Sequence, residues 1–346
     1  MGVELQILKI HIKNGRLSLS GFRDVSGHER IIEYFKHVIE NHKVSHSYIL
    51  SGEDGVGKMT VAKAFAQALL CEEGYADSCG KCHSCVRFET GNHPDVIYVT
   101  HEKAGIGVDD VRSQLVNDVQ IKPYDGGYKI YIVDEAQLMT PAAQNAILKT
   151  IEEPPAYAVI ILLTTNEEAF LPTILSRCVT LKLKPLENSL VKAKLIKEFG
   201  LNEYDADICA SFARGSIGKA IELSSSPKFM DMRGKVLHVL KYIHEMDITE
   251  LQSFAKELKE SGIDVLSALE FMEIWYRDVL MFKATRDTSM FIFKNEYNYI
   301  TEAANKSSFP GIENILEAIE KARQRINANV NFELAMELMF LVIKEN

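Results

Sequence analysis

Ser51-Gly52-Glu53-Asp54-Gly55-Val56-Gly57-Lys58-Met59-Thr60 joins an apolar run, Ser47–Leu50, to a helical pattern that begins at about Val56. A glycine-rich turn closed by a lysine, between a strand and a helix, restricts the fold more than any other feature of this chain. Glycines let backbone N–H groups converge on phosphate oxygens, and the helix N-terminus adds its dipole. Lys58 would reach the β- and γ-phosphates. Gly52, Gly55, Gly57 and Lys58 are therefore candidate nucleotide-binding residues. Gly is about 7% of ordinary sequence, so the glycines alone would say little. The strand–loop–helix setting together with Lys58 is what marks a nucleotide site.

The loop has a flaw. The residue after the lysine should be Ser or Thr, whose hydroxyl ligates Mg²⁺, and here it is Met59. A thioether is a poor partner for a hard cation. Thr60 keeps a hydroxyl, but roughly 100° further round the helix. The expectation is a loop that holds ATP and Mg²⁺ weakly and hydrolyses poorly.

Short β-rich runs alternate with helical stretches from Phe22 to about Leu183. The expected strands are Ser47–Leu50, Val96–Thr100, Lys129–Asp134, Ala158–Thr164 and Val179–Leu183. The expected helices include Glu29–Glu40, Val56–Leu70, Val108–Gln120 and Ala142–Ile151, the last stopped by Pro154-Pro155. Val159-Ile160-Ile161-Leu162-Leu163 is apolar without a break, the pattern of a strand buried on both faces. Strands of that kind alternating with helices predict an α/β fold on a parallel sheet.

Three polar positions sit where such a sheet would present them. Asp134-Glu135 ends a strand; in a phosphate-loop ATPase the Asp holds Mg²⁺ through water and the Glu orients the attacking water. The plainer reading is a strand capped by solvated acids. Asn166 follows Thr164-Thr165 at the next strand end, either as a γ-phosphate sensor or as an ordinary turn residue. Arg177, in Ser176-Arg177-Cys178, is either a surface cation or a finger projected into a neighbouring subunit's ATP site. Fingers of that kind are worth about 10³–10⁵ in rate.

Four of the six cysteines fall between 71 and 85. Cys71, Cys79, Cys82 and Cys85 have the spacing C-x7-C-x2-C-x2-C, and four thiolates satisfy tetrahedral Zn²⁺ with no open position, so the site is expected to be structural. His83 inside this knuckle is expected to be exposed and not a ligand. Cys178 and Cys209 read as small buried hydrophobes.

At 346 residues the chain exceeds what one core usually holds. Residues 1–20 read as an extension, either a hairpin around Asn14-Gly15 or a disordered leader, the latter including a start codon assigned too far upstream. Residues 21–184 read as the phosphate-loop domain with its knuckle at 71–85, 185–226 as a helical lid, and 231–346 as an all-helical domain. The net charge of −9 excludes coating nucleic acid by bulk charge. Residues 231–346 carry 14 positive and 19 negative charges, which suits docking to protein better than to DNA. No apolar run approaches the roughly 18–20 residues of a membrane span, and there is no secretory signal, so a cytoplasmic chain is expected.

The phosphate loop, the four-cysteine knuckle, Lys129-Ile130-Tyr131-Ile132-Val133-Asp134-Glu135-Ala136 and Ser176-Arg177-Cys178 together resemble the AAA+ subunits of the bacterial DNA polymerase III clamp loader. The resemblance runs from about Phe22 to Asn346 and takes in Phe22–His28, His93-Pro94-Asp95, Trp275-Tyr276-Arg277-Asp278 and Asn327–Met336. Two kinds of subunit in that family carry these features, the ATPase motor (gamma/tau) and delta-prime. Met59 and Gly218, the latter where motors carry a phosphate-contacting Arg, place this chain on the delta-prime side. So does the end of the chain after the helical domain, where the tau form continues.

The resemblance implies a stator in a hetero-pentamer with delta and three gamma/tau copies, its C-terminal helices packed in a collar. Arg177 would serve an adjacent motor while the ring opens the beta sliding clamp and closes it on primed DNA. It also implies weak or absent ATPase activity in the chain itself, within a DNA-directed DNA polymerase complex. The alternative is a working motor of the gamma/tau type using Lys58, Asp134, Glu135 and Thr60.

Overall fold

The computed structural model describes residues 21–74, 76–101, 104–125, 127–260, 264–289 and 291–346; the expectation for residues 1–20 lies outside the described residues. The chain forms two compact units, one running through Leu190 with Gly215–Gly218 and the other comprising Val191–Arg214 with Lys219–Asn346.

In the first unit the elements are α1 (Glu29–Glu40), β1 (Ser47–Ser51), α2 (Lys58–Leu70), α3 (His83–Glu89), β2 (Val96–Val99), α4 (Val108–Val111), β3 (Lys129–Val133), α5 (Pro141–Glu152), β4 (Ala158–Thr164), α6 (Pro172–Leu175) and β5 (Val179–Lys182). The five strands form one sheet in the order β2-β3-β4-β1-β5, and every pairing is parallel. This is the α/β fold on a parallel sheet that the sequence led us to expect.

The unbroken apolar runs follow from burial on both faces. Tyr48, Leu50, Ile130, Ile132, Val159, Ile161 and Leu163 pack on one face with Phe35 of α1 and Phe65 of α2. The intervening Ile49, Tyr131, Val133, Ile160 and Leu162 pack on the other with Ile147 and Ile151 of α5 and Ile174 of α6. Alternate side chains of a strand point to opposite faces, so a strand covered twice has no polar position to spare. Each such buried side chain contributes roughly 1.5–3 kcal/mol.

Two expected helices differ. The helix expected from Val56 starts at Lys58, because Gly57 caps it with φ 107°, a left-handed conformation suited to glycine. The single helix expected over Val108–Gln120 is three pieces: α4, a wide turn over Arg112–Val116 and a 3₁₀ turn over Asp118–Gln120. Tertiary donors take its last carbonyls. Lys129 Nζ donates to Asp118 O and Ile121 O at 3.1 and 3.2 Å, and Tyr157 Oη donates to Val119 O at 3.0 Å. Those carbonyls have no partner within a helix that ends there; the regular ladder is already lost at Arg112, whose carbonyl accepts the Asn117 N–H five residues on at 2.9 Å.

Among its described residues the second unit forms helices and no strands, from the helices at Glu203–Ala213 and Pro227–Tyr242 to Phe309–Asn327 and Phe332–Glu345. Its aromatic centre joins Phe212 to Phe271 at 5.1 Å, Phe271 to Phe293 at 4.8 Å and Trp275 to Phe293 at 5.7 Å between ring centroids. Buried Asp278 accepts the N–H groups of Ile292 and Phe293 at 2.8 and 3.0 Å, pinning the segment that carries Phe293.

Candidate functional site

In a parallel sheet all C-terminal strand ends lie along one edge, and a ligand crevice forms there where neighbouring connections diverge. The loop after β1, Thr165-Asn166 after β4 and Asp134-Glu135 after β3 share this edge, with β4 between β1 and β3. Gly52 N donates to Thr164 O at 3.1 Å, which ties the loop to the neighbouring strand. A Cβ at Gly52 would lie 2.8 Å from Leu183 O, so only glycine fits.

The loop is held through its carbonyls. Lys58 Nζ donates to Gly52 O at 2.7 Å and Glu53 O at 2.8 Å, with the Asp54 carboxylate 3.6 Å away. His28 Nε2 lies 3.0 Å from Val56 O, and Gly218 N donates to Gly55 O at 3.0 Å. The first-turn N–H groups of α2, which a helix cannot satisfy internally, remain the donors a phosphate would take. Met59 packs against the core cluster that holds Phe65. Thr60 is half-buried in the same first turn of α2.

Asp134 and Glu135 are both exposed beyond β3, and Glu135 adopts a left-handed backbone with φ 47°. Its N–H donates to Asp134 Oδ1 at 3.0 Å. Asn166 Oδ1 accepts the Glu168 N–H at 2.9 Å, so its acceptor is spent on the local turn and its amide NH₂ is what it can offer a ligand.

Arg177 is elsewhere. It precedes β5 by two residues and so stands at the N-terminal edge of the sheet, away from the loop. From Val179 to Lys182, the partner of Ser51, the strand alone spans roughly 10 Å. Arg177 is 40% exposed at its side chain; Nε lies 3.0 Å from Glu152 Oε1, and Nη1 donates to Thr173 O and Ser176 Oγ at 3.1 Å each. Next to it, burial pushes the Cys178 thiol up to about 12, an unreactive state. Cys209 is fully buried, and its thiol is raised to about 11, chiefly by burial.

Cys71, Cys79, Cys82 and Cys85 place their sulfurs within 4.8 Å of one another, so the cluster can hold a metal ion. Cys71 Sγ accepts the Cys79 N–H at 3.3 Å. Cys79 Sγ accepts those of Lys81 and Cys82 at 3.4 and 3.3 Å, and Cys82 Sγ accepts that of Cys85 at 3.4 Å. The two backbone donors at Cys79 lower its thiol to about 7, whereas burial raises Cys71 and Cys85. A donor set of four sulfurs with N–H groups aimed at them fits a thiolate-bound cation. His83 is exposed, as expected.

His93 and Asp95 act as brackets. His93 is buried, with Nε2 3.0 Å from Ser84 Oγ of α3 and Nδ1 accepting the Asp95 N–H at 3.2 Å. Asp95 in turn accepts the N–H groups of Tyr124 and Asp125 at 2.7 and 3.0 Å.

Sequence reasoning missed His28, Gln144 and Glu152. Gln144 is 2% exposed; its Nε2 donates to Met139 O and Ala169 O at 3.2 and 2.9 Å, and its Oε1 accepts the Leu171 N–H at 2.8 Å. His28 lay inside a quoted stretch, but no spacing could pair it with Val56. Nothing in the sequence distinguishes Gln144 or Glu152 from a solvated helix face.

Residues 27–187 match the sequence model of a family described as DNA polymerase III, delta subunit. The chain is similar to DNA polymerase III subunit delta' of Bacillus subtilis, 29% identical over 326 residues that cover 91% of this chain and 96% of that relative. It is also similar to subunit tau of Bacillus subtilis, 30% identical over 286 residues, covering 76% of this chain and 50% of the relative. Subunit tau/gamma of Haemophilus influenzae is 35% identical over 209 residues, 59% of this chain and 30% of the relative. The chain thus spans half or less of these tau and tau/gamma relatives and nearly all of the delta' relative.

Proposed function

The chain belongs to the clamp-loader AAA+ family of DNA polymerase III, and on that premise we propose that it is a delta-prime-type stator that acts in DNA replication. It contributes Arg177 to the ATP site of a neighbouring subunit and turns over little or no ATP itself. The observation that carries this reading is the placement of Arg177 at the sheet edge opposite its own phosphate loop. A finger so far from its own loop can serve only a site on another chain. At the loop itself, Met59 supplies no Mg²⁺-ligating hydroxyl and Gly218 supplies no cation.

In this reading residues 185–226 are a lid and 231–346 a collar that assembles with delta and gamma/tau subunits in the cytoplasm. The assembled ring would act on the beta sliding clamp and primed DNA. Gly52, Gly55, Gly57, Lys58, Thr60, Asp134, Glu135 and Asn166 are a degenerate nucleotide site that holds ATP and Mg²⁺ weakly if at all. Cys71, Cys79, Cys82 and Cys85 would hold Zn²⁺, which supplies a cross-link and no catalysis. Among the described residues no helix is long and apolar enough to cross a membrane.

The test is ATP turnover in a loader rebuilt from this chain and its partner subunits. Arg177→Ala should lower turnover by orders of magnitude at the site it serves while the chain stays folded; unchanged turnover would sink the finger assignment. The second reading, a gamma/tau-type motor, draws on Lys58, Asp134 and Glu135 sharing one sheet edge. Mg·ATP turnover by the purified chain alone decides it, and we expect none, with none gained by Met59→Thr because position 59 faces the core.

A further inference from the structure

We propose that Glu152 is the positioning residue for Arg177, an inference that rests on the finger reading above. A guanidinium is a planar fork with five N–H donors in fixed relation. The Glu152 carboxylate pairs with Nε at 3.0 Å, Thr173 O and Ser176 Oγ accept from Nη1, and the two N–H groups of Nη2 have no protein partner among the described residues. Contacts at two of its three nitrogens fix the plane of the fork, and Nη2 is kept open for a phosphate oxygen outside the chain.

Two features distinguish this pair from an incidental surface contact. Glu152 is the last residue of α5, where the helix dipole disfavours an anion and favours a cation. A local preference broken at that position is answered by the guanidinium. The backbones of both partners also belong to one braced frame. Ile147 and Ile151 of α5 share a buried cluster with Ile174 of α6. Gln144 of α5 bonds Ala169 and Leu171, just ahead of α6. The α5 terminus and the Arg177 segment therefore move together, and only side-chain freedom is lost when the pair forms.

Glu152→Gln and Arg177→Ala, singly and together, test this in the rebuilt loader. The expected result for Glu152→Gln is a kcat about fivefold lower with KM for ATP unchanged, the size set by the strength of an exposed pair. In the Arg177→Ala background the same change should do nothing further. If Arg177→Ala lowers turnover and Glu152→Gln does not, this inference fails while the finger stands. If Glu152→Gln lowers turnover equally in both backgrounds, Glu152 acts on the fold or the interface and the inference fails. If Arg177→Ala has no effect, the finger reading itself fails and takes this one with it.

Discussion

Gly218 meets Gly55 backbone to backbone: its N–H donates to the Gly55 carbonyl at 3.0 Å, and a Cβ on Gly218 would stand 3.1 Å from Gly55 Cα. An arginine at this position could not enter without displacing the loop, so the absence of a cation at 218 and the position of the loop are one structural fact.

Gly218→Ala should lower stability by about 1 kcal/mol. Crowding the loop costs ~1–3 kcal/mol, and the better helix propensity of Ala returns up to ~1 kcal/mol of it. Urea unfolding of the purified chain measures the difference. An unchanged or higher midpoint would show that the loop gives way freely, leaving room for a larger side chain.

Cys82→Ser separates the proposed zinc site from the local fold. Cys82 caps α3 by accepting the Cys85 N–H, and Ser caps a helix at least as well. A loss of stability in this variant therefore reports the lost ligand. Metal content by mass spectrometry should fall from one zinc per chain toward none, and the melting temperature should drop. Retained metal with unchanged melting would refute a structural zinc site.

Gln144→Leu leaves the Ala169 carbonyl and the Leu171 N–H without their buried partner. The expected cost is about 2–3 kcal/mol, since each stranded polar group carries a desolvation penalty of ~1–3 kcal/mol. Amide exchange should quicken at Leu171 and through residues 173–177. Exchange that stays slow there would mean that the apolar contacts of Ile174 alone hold the Arg177 segment.

Burial lowers the pKa of His93 from its ordinary value of 6.5, against the pull of Asp95 and Asp125. The folded chain keeps this imidazole neutral, while the unfolded chain takes up a proton as pH falls through about 6.5. The stability it contributes is present above that pH and is lost as pH falls further toward the folded value. His93→Gln should therefore flatten the fall in urea midpoint between roughly pH 7 and pH 5.5. A variant with the same pH slope as the parent chain would assign that slope to other groups.

Much of the fold was legible because it depends on local rules. Val159–Leu163 reads as a doubly covered strand from its unbroken apolar run, and Pro154-Pro155 stops α5 through backbone chemistry alone. The four cysteines carry their own geometry in their spacing. Residues 108–120 misled because the helical pattern is present, yet the ladder widens at Arg112 and the segment closes in a short turn whose carbonyls Lys129 and Tyr157, far along the chain, satisfy.

By itself the sequence determined what each segment offers: which strands are buried on both faces, which loop carries the glycines and lysine of a phosphate cradle, which thiols can share a cation, and that Met59 has no hydroxyl for Mg²⁺. These follow from side-chain chemistry and short spacing, which survive any arrangement of the rest. Only the tertiary structure decided where those capacities meet. Strand order put Asp134 and Asn166 on the edge of the phosphate loop and Arg177 on the edge opposite, and close packing brought Gly218 onto Gly55 and Glu152 to Arg177. Such pairings depend on contacts between residues distant in the chain, and no local preference records them.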